Sequence, residues 1–271
     1  MYEVIFISGI NATLRNGIIK ACINRNIEAY VIPHVGDVIM SGGKYVEELP
    51  IPMISVEREN LDPLYSFAKR AFDIVVAGTA AIILSPFMLL TAIAIKLHDG
   101  GPVLYKQVRL TKDKKEFTIL KFRSMKVDAE KDGVARLVSE KDDRITPIGK
   151  IIRTIRFDEL PQVFNILKGD MSIVGPRPER PEIAKQYEVV YPSFKLRLQV
   201  KAGLTGYAQI YGKYNTEPID KLKMDLYYIN KMSFLYDIQL CFMTIKTLFM
   251  KESTAAIEEG KVIANKGRDS E

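Results

Sequence analysis

Residues 74–95 read IVVAGTAAIILSPFMLLTAIAI, and this uncharged segment decides the fold. As a straight helix it would be roughly 33 Å long, about the thickness of the hydrocarbon core of a membrane. The segment lies far from the N-terminus, so it is not a cleavable signal peptide. A membrane-spanning helix, a buried core helix and a helix that enters the membrane and turns back are the three interpretations. The core helix is the weakest of them, because the segment has no polar face.

The pair Ser85-Pro86 lies near the middle of this segment. Proline removes a backbone donor and disfavours helical geometry at the residue before it, and a nearby serine can satisfy the freed carbonyl. Basic residues flank the segment on both sides, whereas a spanning helix should have its basic flank in the cytoplasm. We therefore predict a re-entrant helix over residues 69–98, broken at Ser85-Pro86, with both flanks cytoplasmic. A simple span remains the alternative.

The composition excludes several classes of protein. The chain has 271 residues, a net charge of +6, 47% hydrophobic and 27% charged residues, which is too apolar for a disordered protein. Two cysteines and two histidines are too few for a disulfide scaffold or a multi-ligand zinc site. Any metal should therefore be a hard cation held by carboxylate oxygen. The basic residues are interleaved with acids and no recognition helix is apparent, so we expect no nucleic-acid partner.

Residues 1–57 predict a short βαβ leader, a partial α/β accessory region whose helix Asn11 can cap. No glycine-rich phosphate loop follows its first strand, and one such unit is too small to be a stable sheet. We expect it to pack on something else, with a homodimer as one possibility. Residues 58–68 are predicted as a linker, and residues 251–271 as a polar tail.

Residues 99–250 predict a small catalytic module, which makes the fold α+β (mixed α/β) and membrane-associated. Two strands on either side of the basic turn 111–115 should form a hairpin. A helix should follow over residues 158–169, with Asp158 as a possible cap and Gly169 at its end. Further helices are predicted over 181–187, 218–232 and 233–250.

Lys121 and Arg123 alternate at strand spacing in the stretch KFRSMKVDAEKD (121–132), so they should share one face. Asp128 and Glu130 follow at once. Two cations beside two carboxylates suit a site that holds phosphates, a divalent metal and a nucleophile. The alternative is a solvated strand end with surface ion pairs.

Two further stretches carry candidate residues. Arg144 and Arg153 precede the adjacent acids Asp158 and Glu159, which form either a second-ranked acidic site or a complement to a helix N-terminus. The rigid turn GPRP (175–178) pins Arg177, and a fixed guanidinium fork is suited to anion binding.

The chain resembles the bacterial sugar transferases of the monotopic phosphoglycosyl transferase superfamily. Family-like strings occur in order around the Ser-Pro-broken apolar helix: KRAFD (69–73), GPVLYKQVR (101–109), KFRSM (121–125), DELPQVFNILKGDMSIVGPRP (158–178), GLTGYAQIYG (203–212) and DLYYINKMS (225–233). The resemblance implies a re-entrant helix in the inner leaflet, with amphipathic helices and a small catalytic module on the cytoplasmic face. It implies transfer of a sugar-1-phosphate from a nucleotide sugar to polyprenyl phosphate.

The resemblance also implies an aspartate nucleophile with an adjacent glutamate, and Mg²⁺ as cofactor. By position after KFRSM the matching aspartate is Asp128, and Glu130, displaced by one residue, is its partner. Both are predicted to be catalytic and to hold the metal, and Asp128→Asn is expected to abolish transfer. The predicted phosphate-binding residues are Lys121, Arg123, Arg144, Arg153 and Arg177.

Two other hypotheses stay open. One is a non-catalytic membrane scaffold that binds nucleotide sugars or partner enzymes. The other is a bitopic protein whose N-terminal region lies outside the cell. The sequence does not identify the sugar or the glycan pathway.

Overall fold

The structure, a computed structural model, describes residues 4–46, 51–58, 61–127, 129, 142–213 and 216–248. It divides into two compact units, one ending at Val56 and the other beginning at Glu57. Both units mix helices and strands, in agreement with the predicted α+β class. The candidate residues Asp128 and Glu130 and the predicted tail lie outside the described residues, so their assignments stay predictions.

The first unit contains the predicted βαβ leader, followed by a short helix and an antiparallel strand pair. Its elements are β1 (Val4–Ile7), α1 (Ala12–Asn24), β2 (Glu28–Val31), α2 (Val35–Ser41), β3 (Lys44–Val46) and β4 (Met53–Ser55). β1 and β2 are parallel, and β3 and β4 are antiparallel. Asn11 caps α1 as predicted, because its Oδ1 accepts a hydrogen bond from Leu14 N at 2.9 Å. An ion pair between Arg15 and Asp37 joins α1 to α2.

One helix of 37 residues, α3 (Pro63–Asp99), contains the apolar segment. It begins inside the predicted linker, because the Asp62 side chain accepts a hydrogen bond from Leu64 N at 2.7 Å and Pro63 fits the first turn. The helix continues through Pro86 instead of ending at the predicted break. Pro86 leaves the Ile82 carbonyl without its helical donor, and the Ser85 hydroxyl donates to that carbonyl at 2.8 Å.

The apolar face of α3 has little protein against it. Within the described ranges, α3 is the one helix long and apolar enough to cross a membrane, and only 6% of its most apolar window is buried. Its first turns are docked more firmly. Arg70 donates to the carbonyls of Ile166 and Leu167 at 2.7 and 2.8 Å, and Asp73 accepts from Ser172 Oγ at 3.0 Å. The helix is therefore anchored at its N-terminal end, and most of its apolar middle is not buried by the described residues.

The rest of the second unit is built from short elements around the predicted hairpin. They are β5 (Leu104–Leu110), β6 (Glu116–Phe122), α4 (Pro147–Thr154), α5 (Gln162–Lys168), β7 (Ser172–Val174), α6 (Pro181–Val190), β8 (Gly203–Thr205), α7 (Tyr207–Tyr211), α8 (Pro218–Asn230) and α9 (Phe234–Leu248). β5 and β6 pair antiparallel, and β7 and β8 pair in parallel. The predicted helices at 181–187, 218–232 and 233–250 are confirmed with shifted ends.

The apolar cluster Ile95, Phe122 and Ile152 joins the C-terminal end of α3 to β6 and α4. Phe157 and Leu160 pack against the same cluster. These two residues flank the acidic pair Asp158 and Glu159, so burial of the apolar neighbours fixes the acids next to the end of β6. The core thus positions the candidate site.

Candidate active site

The acidic pair lies in a short 3₁₀ turn, Phe157–Glu159, between α4 and α5. Arg156 enters this turn with φ of +59°, a left-handed conformation that is uncommon outside glycine and is found at functional sites. Helix α5 begins only at Gln162, with Pro161 before it, and no side chain caps it. The predicted capping role of Asp158 is therefore wrong, because the 3₁₀ turn places this residue a turn too early.

Glu159 is the centre of the cationic cluster. Its Oε1 accepts from Lys121 Nζ at 2.7 Å and from Arg177 Nη2 at 3.1 Å. Burial alone would raise the pKa of the Glu159 carboxyl, but the two cations outweigh it and hold the pKa well below its usual range. Glu159 is therefore a fixed anion that aligns the two cationic side chains.

Asp158 has a different environment from its neighbour. It is buried, and burial followed by the charge of Glu159 raises the pKa of its carboxyl. No side chain in the described part of the protein donates a hydrogen bond to it. Arg153 is one of the cations acting on its charge, and the buried Nη1 of Arg153 has no hydrogen-bond partner among the described residues. The two adjacent acids thus differ. Glu159 is an anion paired with two cations, whereas Asp158 is a buried carboxylate that accepts no hydrogen bond from another described side chain.

Asn165 on α5 holds β6 beside the acidic turn. Its Oδ1 accepts from Leu120 N at 2.9 Å, and its Nδ2 donates to Thr118 O at 2.8 Å. The amide thus continues the hydrogen-bond pattern of a strand along the free edge of β6. Lys121 follows directly, which explains how its ammonium reaches Glu159.

Two arginines secure the turn that carries Arg177. Arg197 Nη2 donates to the Arg177 carbonyl at 2.9 Å, and Arg109 Nη1 donates to the Pro178 carbonyl at 3.1 Å. Gly175 allows the close approach, because a Cβ there would lie 2.4 Å from the Lys201 carbonyl oxygen. The turn therefore has little freedom, and Arg177 projects from a rigid base.

A small cleft lies beside this cluster, with a cavity volume of about 20 Å³. Its lining combines cations with one neutral amide and small or apolar groups: Arg109, Ile119, Lys121, Gln162, Arg177, Pro178 and Gly203. Three cations around one opening are suited to a diphosphate.

Two of the predicted phosphate-binding arginines are engaged elsewhere. Arg123 is buried and binds both carboxylate oxygens of Asp99 at the end of α3, with Nη1 to Oδ2 at 2.9 Å. β6 ends at Phe122, so the alternation that should place Arg123 beside Lys121 no longer applies. Arg144 binds Asp142 through Nε at 2.8 Å and Nη2 at 2.6 Å. Arg123 and Arg144 therefore pair with carboxylates other than Glu159, and their role in phosphate binding stays a prediction.

Sequence reasoning missed three members of the site. Arg109 and Gln162 lie in sequence segments that carry the family resemblance. Their positions in the sequence did not indicate that they line one cleft. Arg197 had no signal at all, since an isolated arginine in LRLQV is ordinarily a surface residue.

A magnesium site is only partly supported by the donor groups. No three His, Cys, Asp or Glu side chains converge as a metal site within the described ranges. Mg²⁺ often binds through one or two carboxylates together with substrate phosphates, and Asp158 has the carboxylate available for that arrangement. The residues present fit this pattern and no fuller cage.

Comparison with known proteins agrees with this architecture. The sequence profile of the family described as bacterial sugar transferase matches residues 64–251, and the chain belongs to this family. The UDP-N-acetylgalactosamine-undecaprenyl-phosphate N-acetylgalactosaminephosphotransferase of Aeromonas hydrophila is 43% identical over 189 residues, which are 69% of this chain and 44% of that protein.

Two relatives are named UDP-glucose:undecaprenyl-phosphate glucose-1-phosphate transferase. The protein from Escherichia coli K12 is 38% identical over 208 residues, which are 75% of this chain and 45% of that protein. The protein from Caulobacter vibrioides is 34% identical over 209 residues, which are 75% of this chain and 74% of that protein. The chain thus spans less than half the length of the Aeromonas and Escherichia relatives.

Proposed function

We propose that the protein transfers a sugar-1-phosphate from a UDP-sugar to undecaprenyl phosphate, releasing UMP. The observation that carries this proposal is the cluster of Lys121, Arg177 and Glu159 beside the unpaired carboxylate of Asp158, at a cleft that suits a diphosphate. The names of three relatives describe the same reaction class for those proteins. Exopolysaccharide and capsule synthesis are the pathways in which we expect it to act.

In the proposed mechanism the Asp158 carboxylate oxygen attacks the phosphorus that carries the sugar. The bond from that phosphorus to the bridging oxygen breaks, and UMP leaves with the electron pair. Lys121 and Arg177 neutralise the phosphate oxygens during attack, as cations do in phosphoryl transfer. The phosphate of undecaprenyl phosphate then attacks the aspartyl phosphosugar and releases Asp158. Mg²⁺, if held by the substrate phosphates and one of these carboxylates, would supply further neutralisation of the leaving phosphate.

This assignment differs from the sequence expectation, which ranked Asp128 first. The described geometry supports Asp158 because two of the predicted phosphate-binding cations, Lys121 and Arg177, meet at its neighbour Glu159. The catalytic roles of Asp128 and Glu130 remain predictions. The two assignments differ in which substitution, Asp128→Asn or Asp158→Asn, should abolish transfer.

A site that joins an aqueous and a lipid substrate should lie at the membrane surface. The exposed apolar middle of α3 supports membrane insertion, and basic residues on both sides of it support a re-entrant path on the cytoplasmic face. With the helix in the membrane, the phosphate of undecaprenyl phosphate would reach the cleft while its lipid chain stays in the bilayer. Association into a homodimer through the leader remains a prediction.

The direct test is release of UMP from a panel of UDP-sugars in the presence of undecaprenyl phosphate and Mg²⁺. We expect release with at least one sugar and none without the lipid phosphate beyond a single turnover, since the covalent intermediate needs an acceptor. Absence of release with every sugar would contradict the proposal and favour the non-catalytic scaffold.

We expect kcat/KM to fall at acidic pH with an apparent pKa above the ordinary aspartate value. Burial and the neighbouring Glu159 raise the pKa of Asp158, so its nucleophilic anion is lost as the pH falls through that raised value. The measurement is a pH profile of UMP release under limiting UDP-sugar.

The matched variant for this profile is Glu159→Gln. Removing the adjacent negative charge should move the acidic limb to lower pH, whatever the loss of rate at the plateau. An acidic limb that stays in place would mean that another group controls it.

A further inference from the structure

Gln162 is a buried amide that uses none of its hydrogen-bonding capacity within the described protein. Only 3% of the residue is exposed, and it lines the cleft with the cations Lys121 and Arg177. No hydrogen bond from its side chain to another described residue is formed, yet its polar atoms are not sealed off from the cleft. A ligand group that enters the cleft can therefore pair with this amide, which has no protein partner among the described residues.

The position of Gln162 restricts which part of a ligand can reach it. It is the first residue of α5, four residues after Asp158, so it lies close to the phosphorus that Asp158 would attack. The cations at the cleft match the phosphates, whereas an amide offers one acceptor and two donors without charge. Its partner should therefore be a neutral polar group next to the reacting phosphate. In a UDP-sugar that group is on the sugar, because the nucleoside is one phosphate further away.

We propose that the Gln162 amide hydrogen-bonds a hydroxyl or acylamino substituent of the transferred sugar, next to its phosphate, and contributes to the choice of sugar. This inference rests on the proposed function. It assigns recognition of the sugar to a neutral side chain, separately from the cations that hold the diphosphate. Sites built to hydrogen-bond a substrate group discriminate strongly against ligands that lack it.

The test compares binding of UDP with binding of UDP-sugars, using equilibrium dialysis on the full chain in detergent. UDP-glucose, UDP-galactose and their 2-acetamido counterparts serve as probes. We expect the protein to bind at least one UDP-sugar more tightly than UDP, and Gln162→Met to lose about 10-fold or more of that preference while the affinity for UDP changes less than about 2-fold. Methionine has a similar length and removes both polar atoms.

Gln186→Met, at an exposed position on α6, is the matched control and should leave both affinities unchanged. Thermal unfolding confirms that each variant is folded. If Gln162→Met does not fold, Gln162→Leu, which also lacks both polar atoms and adds no charge, replaces it.

Three results would overturn the inference: equal weakening of UDP and UDP-sugar binding, an unchanged preference in the variant, or no preference in the unsubstituted protein. The outcome is independent of turnover. UMP release without a Gln162 effect would leave the proposed function intact, whereas a Gln162 effect on binding without UMP release would refute only the transfer reaction.

Discussion

Asp158→Asn is expected to lower sugar-phosphate transfer by about 10³-fold or more, because an amide cannot serve as the attacking group and the other carboxylate described in the cluster is held by two cations. Glu159, its neighbour, is held by Lys121 and Arg177 and has its pKa lowered, so it is an aligned anion with little capacity to attack. UMP release and covalent labelling of the protein by a UDP-sugar radiolabelled in the sugar are the two measurements. Both should disappear together.

The decisive comparison is with Asp128→Asn. The position after KFRSM predicts that Asp128 is the nucleophile, whereas Asp158 is supported by the ion pairs of its neighbour Glu159 with Lys121 and Arg177, two cations that line the cleft. The two variants therefore separate a motif-based assignment from a contact-based one. Loss of labelling in Asp128→Asn with labelling kept in Asp158→Asn would reverse our assignment.

Asp170→Asn is the control for a general effect of removing a carboxylate in this region. Asp170 follows α5, pairs with Lys168 at 3.1 Å and does not line the cleft. We expect transfer within about 3-fold of the unsubstituted protein, because asparagine keeps the shape of Asp170 and the Lys168 side chain that pairs with it is 75% exposed.

Local signals explain why several elements were predictable from the sequence. Asn11 begins α1 through its side chain, and Gly169 ends α5 with φ of +94°, a conformation that glycine adopts without strain. The strands on either side of the 111–115 turn form the predicted hairpin, since their partners are close in the chain. Helix α3 begins at Pro63, six residues before the predicted start at residue 69, because Asp62 caps it and Pro63 fits its first turn.

The candidate site was only partly predictable, because its contacts join distant parts of the chain. Lys121 reaches Glu159, 38 residues away, while Arg123, two positions later, reaches Asp99. Strand alternation placed both cations on one face and could not indicate that β6 ends between them. The phosphate-binding role of these cations stays a prediction, and their distribution over different carboxylate partners required the packing of α3, α4 and α5.

The second large effect is expected from a buried ion pair behind the site. Arg197 and Asp225 have side chains only 4% and 2% exposed, and their Nη2 and Oδ2 atoms are 2.8 Å apart. Removing Asp225 takes away the nearer of the two carboxylates that pair with the buried Arg197 among the described residues; the other, Glu179, lies 3.6 Å away. We expect Asp225→Leu to lower the free energy of unfolding by about 3–5 kcal/mol, measured by circular dichroism in a single detergent.

Lys223 and Asp220 provide the matched surface pair, since they lie on α8 together with Asp225. Their side chains are 19% and 44% exposed and their charged atoms are 3.0 Å apart. Asp220→Leu should change the free energy of unfolding by less than about 1 kcal/mol. Similar losses for Asp220→Leu and Asp225→Leu would contradict the importance of burial.

The double variant Arg197→Met/Asp225→Leu separates stability from positioning. Replacing both charges by apolar groups removes the uncompensated charge, so much of the stability lost in Asp225→Leu should return. The hydrogen bond from Arg197 to the Arg177 carbonyl remains lost, and with it the fixed base of the Arg177 side chain. We therefore expect the double variant to unfold like the unsubstituted protein and still have a lower kcat. Recovery of both properties would mean that Arg197 stabilises the fold without positioning Arg177.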